Sequence, residues 1–267
     1  ASLAGAIGKQ CNFVSNDIQE YSKILSQTYL VNLASKDIPA LDEIYQKTLA
    51  IVKSNIKQKY IVNYSDLKNI DEFNSLEEKQ KDLINQNLDY PYHLFAKNYS
   101  GTWWSYEQCL WIDALRQVAD DYKNKPLYPI FLASLMYAMA YCSQGTGHYA
   151  QYRDAKTNSS FNDICIYRKK EVFKFFSKKI NELCEFNFKN SNQFKSIFLS
   201  KDFKDALDIF EGGTVYADPP YCFVHYSRFY HALETLVLYD YPEIQKKNNV
   251  IVKGRYIEER HQSPFCI

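Results

Sequence analysis

The run Thr214-Val215-Tyr216-Ala217 leads directly into Asp218-Pro219-Pro220-Tyr221. The first four residues read as a buried strand. The two prolines must end it, because neither can donate a ladder hydrogen bond and each fixes φ near about −65°. The sequence therefore predicts a stiff corner carrying an acid, two backbone carbonyls and an aromatic ring at the C-terminal end of a strand. In open α/β sheets, ligands bind along that edge. Average residue usage gives this tetrapeptide by chance in roughly one chain of this length in a thousand, so it is worth reading as more than a turn.

At 267 residues the chain can bury a sizeable core. A net charge of +1 neither demands nor excludes a nucleic-acid partner. A DNA-binding chain of this balance must gather its basic residues on one face. Aromatic side chains make up 16% of the sequence; most belong to a core, and some can stack on bases. The cysteines, at positions 11, 109, 142, 165, 184, 222 and 266, form no CxxC pair, which argues against a zinc or redox motif. An odd, scattered set suggests reduced thiols and a cytoplasmic setting. The apolar run Pro129 to Cys142 is too short to span a bilayer. The histidines lack metal-ligand spacing, so neither a metal nor a membrane partner is expected.

The periodicity predicts a strand over Cys11 to Ser15 and a helix over Ile18 to Val31. From there to about Tyr92 the signals are polar and weak. Ser105 and Gln108 match a capping box that opens a helix. A second helix, Tyr128 to Tyr141, is apolar nearly all round and should be buried. Further helices are predicted over Glu171 to Cys184, Lys204 to Phe210 and Tyr226 to Tyr239, with a strand over Gln193 to Leu199 and an irregular tail.

Acids follow three apolar runs: Asp17, Asp202 and Asp218. In a doubly wound sheet these ends line one rim. An acid after the second strand can hold a ribose diol, an Asp-Phe pair can bond and pack an adenine ring, and a Gly-containing turn lets backbone approach a ligand. Taken singly, a strand-end Asp is more often a helix cap; the ordered set with the double proline is harder to attribute to chance.

On these residues the chain resembles the Dam-like N6-adenine DNA methyltransferases, in which a cofactor motif precedes the recognition region and the DPPY motif comes last. Ser2 to Gly8 is similar to a worn Gly-rich S-adenosyl-L-methionine (SAM) motif, and Asp218 to Tyr221 match DPPY. His225 to His231 is similar to the segment that follows DPPY in one branch of the group. The resemblance implies an α/β fold: a Rossmann-like methyltransferase sheet, built from residues 1–59 and 186–267, with a largely helical recognition insert at 60–185. It implies that Gly5, Gly8, Asp17, Asp202 and Phe203 hold SAM. It also implies that Asp218, Pro219, Pro220 and Tyr221 methylate the N6 of a flipped-out adenine in double-stranded DNA. The loop from Gln144 to Lys156 is the best candidate reader, with Tyr149, Gln151, Arg153 and Lys156 supplying stacking, base-edge and phosphate contacts. Arg228 is a candidate phosphate contact. A restriction endonuclease in the same restriction–modification system is the implied partner. The alternative is a DNA-binding pseudo-methyltransferase or specificity element.

Only seven residues separate Gly8 from Asn16. A crossover with its helix takes at least about ten to twelve. Together with the first residue, Ala1, this spacing leads to the expectation that part of the first helix lies outside the sequence.

Overall fold

The computed structural model describes residues 2–38, 40–145, 147–219 and 226–258. Helix dominates. The chain begins with α1 (Ser2–Ile7), the short strand β1 (Phe13–Asn16) and α2 (Glu20–Thr28). Two helices follow where the sequence signal is weakest, α3 (Leu41–Asn55) and α4 (Ile70–Lys81). Next come α5 (Leu94–Asn98), α6 (Tyr106–Ala119), α7 (Leu127–Cys142), α8 (Asn158–Arg168) and α9 (Val172–Lys189).

Helix α7 is the centre of the molecule. Its apolar residues point in every direction and find α9, α2 and α6 around them, as an all-round apolar helix requires. Helix α6 begins at the expected capping box: Ser105 Oγ accepts from Gln108 N at 3.2 Å, and Ser105 N donates to Gln108 Oε1 at 3.0 Å. The Gln108 amide then donates to Tyr167 O and Lys170 O, at 2.9 and 2.8 Å, and so closes the end of α8 as well. Trp103, Trp104, Tyr99 and Tyr106 fill the space beside α6 and α7. The same core takes in Ile24 of α2 and residues near the C-terminus of the chain, so the intervals 1–59, 60–185 and 186–267 all contribute to it.

Two buried charged side chains of this core, Arg168 and Asp113, have partners. Arg168, from α8, donates to Glu77 of α4 through Nε at 3.2 Å and Nη2 at 2.7 Å, and to the carbonyls of Thr102 and Trp103. Asp113 of α6 accepts from Phe95 N and Ala96 N at 2.9 and 2.8 Å, and so caps α5; Tyr239 Oη also donates to it, at 2.6 Å.

The sheet is smaller than the doubly wound one the sequence predicts. β1 pairs in parallel with β2 (Ser196–Leu199), in the register Phe13↔Ser196 to Asn16↔Leu199. β2 falls inside its predicted range, and β1 starts inside its own and runs one residue past it, to Asn16. The chain continues through α10 (Phe203–Asp208). The third predicted strand, Thr214 to Ala217, is not one: no ladder pairs it, and Val215 and Tyr216 are 54% and 70% exposed. Apolar β-branched sequence becomes a buried strand only where neighbours supply ladder partners. Among the described residues β1 pairs only with β2, and nothing bridges it to 214–217.

The helix expected over Tyr226 to Tyr239 divides into α11 (Tyr226–Phe229) and α12 (His231–Leu238), separated by Tyr230 at φ −118°. Within the segment predicted as irregular the described residues contain a hairpin. β3 (Lys246–Lys247) and β4 (Val250–Ile251) form an antiparallel hairpin. Asn248 and Asn249 turn it at φ 51° and 61°, the left-handed pair that tight hairpins need.

Candidate functional site

The parallel register brings the ends of β1 and β2 level, and a side chain locks them there. Asn16 Nδ2 donates to Lys201 O at 3.0 Å, while Lys201 N donates to Asn16 Oδ1 at 3.1 Å. Asp17 and Asp202, predicted from opposite ends of the chain, thus lie on one rim. Asp17 Oδ1 accepts from Gln19 N at 3.0 Å and turns the chain into α2. Asp202 Oδ1 accepts from Lys204 N at 2.9 Å and caps α10, with Phe203 opening that helix. Both acids are therefore helix-entry residues as well as rim residues, and neither role excludes the other.

A contact not anticipated from sequence ties the segment after Asp218 to this rim. Glu234 of α12 reaches the start of α2, accepting from Glu20 N and Tyr21 N, both at 2.9 Å. A carboxylate at a helix N-terminus meets unpaired N–H groups and the positive end of the dipole. Burial outweighs those bonds and raises the Glu234 pKa. The rings of Tyr21 and Tyr230 lie 5.5 Å apart. Ser200 Oγ donates to Glu20, which also pairs with Lys23 at 3.2 Å. The only sequence signal for Glu234 is an acid within an apolar helical run.

Gly5 and Gly8 do not form a turn open to a ligand. Gly5 lies within α1, and Gly8 follows it with its N–H on Ala4 O at 3.0 Å. A Cβ on Gly5 would meet the Tyr29 ring at 3.4 Å, and one on Gly8 would meet Leu30 at 2.7 Å. The absent side chains let α1 close on the end of α2 and the residues after it.

Asp218 is exposed and Pro219 half-buried. Pro220 and Tyr221 lie outside the described residues, as do residues 222–225, His225 included.

The predicted DNA reader separates into two parts. Tyr149 is buried, with its N–H on Phe229 O at 2.7 Å and its carbonyl held by His231 Nε2 at 2.8 Å. Its ring packs on Trp103 and Trp104 and is not presented to a duplex. Gln151, Arg153 and Lys156 are exposed; Arg153 pairs with Asp163 at 3.1 Å. Lys156 borders an open groove of about 500 Å³ whose other lining residues include Lys81, Lys253, Tyr152, Glu78 and Asp154. Arg228 donates to Tyr256 Oη at 2.7 Å, with its guanidinium 4.9 Å from the centre of that ring. No grouping of acids, histidines and cysteines suited to a metal occurs among the described residues. No helix of the described residues is long and apolar enough to cross a membrane.

The chain is 25% identical, over an alignment of 268 positions, to the Type II methyltransferase M.FokI of Planomicrobium okeanokoites. The alignment takes in 95% of this chain and 37% of that protein. No family profile matches the sequence, and no solved structure matches it.

Proposed function

We propose that this chain is part of a SAM-dependent DNA methyltransferase that modifies the N6 amino group of adenine. The observation that carries this reading is the clasped rim, which gathers Asp17 and Asp202 onto one edge of a chain that aligns with a Type II methyltransferase over 95% of its length.

The chemistry suits the residues. The exocyclic nitrogen of adenine is a poor nucleophile because its lone pair is delocalised into the ring. The Asp218 carboxylate and the Pro219 carbonyl would accept its two N–H groups and draw the nitrogen toward tetrahedral geometry. Tyr221 would stack on the base, and Pro220 would stiffen the corner. The gain comes from positioning and electrostatics, without a covalent enzyme intermediate. The target nitrogen is not open to this attack inside a duplex, so the base must be flipped out.

SAM supplies the methyl group when bound. Its nucleoside end fits the rim: Asp17 suits the ribose diol, and Asp202 with half-buried Phe203 suits the adenine. Gly5 and Gly8 offer it no cradle, since Tyr29 and Leu30 lie against their open sides. Within residues 60–185, Gln151, Arg153 and Lys156 would meet DNA, with Arg228 nearer the flipped base. A cytoplasmic modification enzyme paired with a restriction endonuclease is the setting this reading implies.

Transfer of labelled methyl groups from SAM to duplex DNA, with the product identified as N6-methyladenine, tests the proposal. The packing of Gly5 and Gly8 against their own chain favours a second reading, a DNA-binding pseudo-methyltransferase. Salt-dependent duplex binding with neither SAM binding nor methyl transfer would select it.

A further inference from the structure

Arg116, Arg168 and Arg255 are all at least nine-tenths buried, at 5%, 4% and 6% exposure. Their surroundings differ. Arg168 has Glu77 and two carbonyls. Arg116 donates to Asp120 at 2.5 Å and to the carbonyls of Leu236 and Val237. Arg255 has no ion pair among the described residues, and its Nε is sealed from solvent without a hydrogen-bond partner. The carboxylate that acts on it, Glu78, is already paired with Lys81 at 2.7 Å.

An uncompensated buried cation is costly, and here the backbone is constrained to hold it. Arg255 sits at φ 50°, in the left-handed region that non-glycine residues rarely occupy. The preceding Gly254 approaches so closely that a Cβ would lie 2.5 Å from Ala150 O. Burial lowers the Arg255 pKa, whereas Glu77 raises that of Arg168. Two further orphan donors occur nearby in the fold. Trp103 Nε1 has no partner, and its ring is 5.6 Å from that of Tyr152, which acts on Arg255. Ser227 Oγ has none either, on the short helix whose Arg228 holds Tyr256, the residue after Arg255.

The position indicates which anion is missing. Tyr152 lines the groove that also contains Lys81, Lys156 and Lys253. Lys81 and Lys253 lie 4.8 and 5.2 Å from the centre of its ring. The chain running from β4 to Arg255 closes one side of this groove through Ile251 and Lys253. Lys81 pairs with Glu78 and Lys253 with Asp154, both acids of the same lining, so Lys156 and the unpaired guanidinium beside the groove supply the excess positive charge, which suits an anion such as a phosphate.

We propose that Arg255 is a phosphate-binding residue, which receives a backbone phosphate of duplex DNA seated in the Tyr152 groove. This rests on the DNA-binding part of the proposed function. A guanidinium can grip a phosphate with two parallel N–H bonds, and the bound phosphate supplies the charge that Glu77 supplies to Arg168.

The test uses Arg255→Met and Arg255→Lys, with Arg168→Met as the structural control. Binding to a random-sequence duplex is measured by anisotropy over a range of salt, SAM affinity by calorimetry, and the thermal midpoint without ligand. Arg255→Met is expected to weaken duplex binding about tenfold and to flatten the slope of log K against log salt by about 1. Arg255→Lys is expected to fall between it and wild type, because the charge stays and the fork is lost. The unliganded midpoint of Arg255→Met should hold or rise, since an unpaired buried charge is removed, while that of Arg168→Met should fall.

Wild-type duplex affinity and salt slope in Arg255→Met overturn the inference and leave the DNA reading standing. A midpoint that drops as far as in Arg168→Met makes the residue structural and also overturns it. Loss of SAM affinity with DNA binding intact assigns the arginine to the cofactor carboxylate. If the wild-type protein binds no duplex, the DNA reading fails and this inference fails with it.

Discussion

The helical centre and the two-stranded end of this molecule are built to different standards. Around α6 and α7, large side chains are fully enclosed and buried charges meet partners. At the strand end, β1 and β2 make a parallel pair that leaves Val14 and Ile197 partly exposed, and the Asp218 segment lies outside any ladder. The larger buried core lies in the first region, and Asp17 and Asp202, which we propose hold the cofactor, sit on the second. Elements that bind ligands are commonly drawn from the less stable parts of a fold. Glu234 joins the regions: it leaves an apolar helix of the core to cap the helix that starts at the rim.

Breaking the Arg168–Glu77 pair tests this contrast most severely. Arg168→Met leaves a buried carboxylate without its partner, and the expected loss in a denaturant titration is about 3–5 kcal/mol. A loss below about 1 kcal/mol would remove the distinction between compensated core and open end. Leu135→Ala, in the middle of α7 and fully enclosed, should cost about 2–5 kcal/mol by the same measurement.

A subtler test uses two buried groups with opposite pH behaviour. Burial raises the Asp113 pKa to about 7 and lowers that of His231 to about 4. Between about pH 4 and 6.5, folding keeps a proton on Asp113 that the unfolded chain has released, so its contribution falls as pH rises. Over the same window the unfolded chain protonates His231 while the folded one does not, so that contribution grows as pH rises. The two slopes largely cancel. Asp113→Asn should uncover the His231 slope, with stability rising by up to about 1.4 kcal/mol per pH unit across that window. An unchanged, flat profile in the variant would contradict the assignment. The smallest effect is expected at the other end: Val215→Ala, 54% exposed in the wild type, should shift stability by less than about 0.5 kcal/mol.

Local signals were legible where local physics decides the outcome. The Ser105–Gln108 box and the all-round apolar α7 needed no distant partner to be read. The two paired strands and their rim acids were also readable, because apolar runs ending in Asp at a helix start are visible in sequence. Helices α3 and α4 were missed because their buried positions, such as Ile44, Thr48 and Val52, are thinly spaced among Lys and Asn. The strand at Thr214–Ala217 failed for the opposite reason: propensity was present and a pairing neighbour was not. Tyr149 looked like a surface stacker because its loop is polar, but Trp103 and Trp104 lie over it. The hairpin at 246–251 could have been found from Asn248-Asn249, two residues that tolerate positive φ. Arg255 carried no signal of its own, since lack of a partner is a property of the folded chain.

The central claim is the proposal that Asp218 serves methyl transfer. The most direct measurement compares methyl transfer from SAM to duplex DNA by the wild-type protein and by Asp218→Ala, alongside the thermal midpoint of each. The account predicts N6-methyladenine from the wild type, a loss of about 10²-fold or more in the variant, and a change in midpoint no larger than an exposed residue commonly gives. Undiminished transfer by Asp218→Ala, or methyl groups found on a base other than adenine, would contradict it.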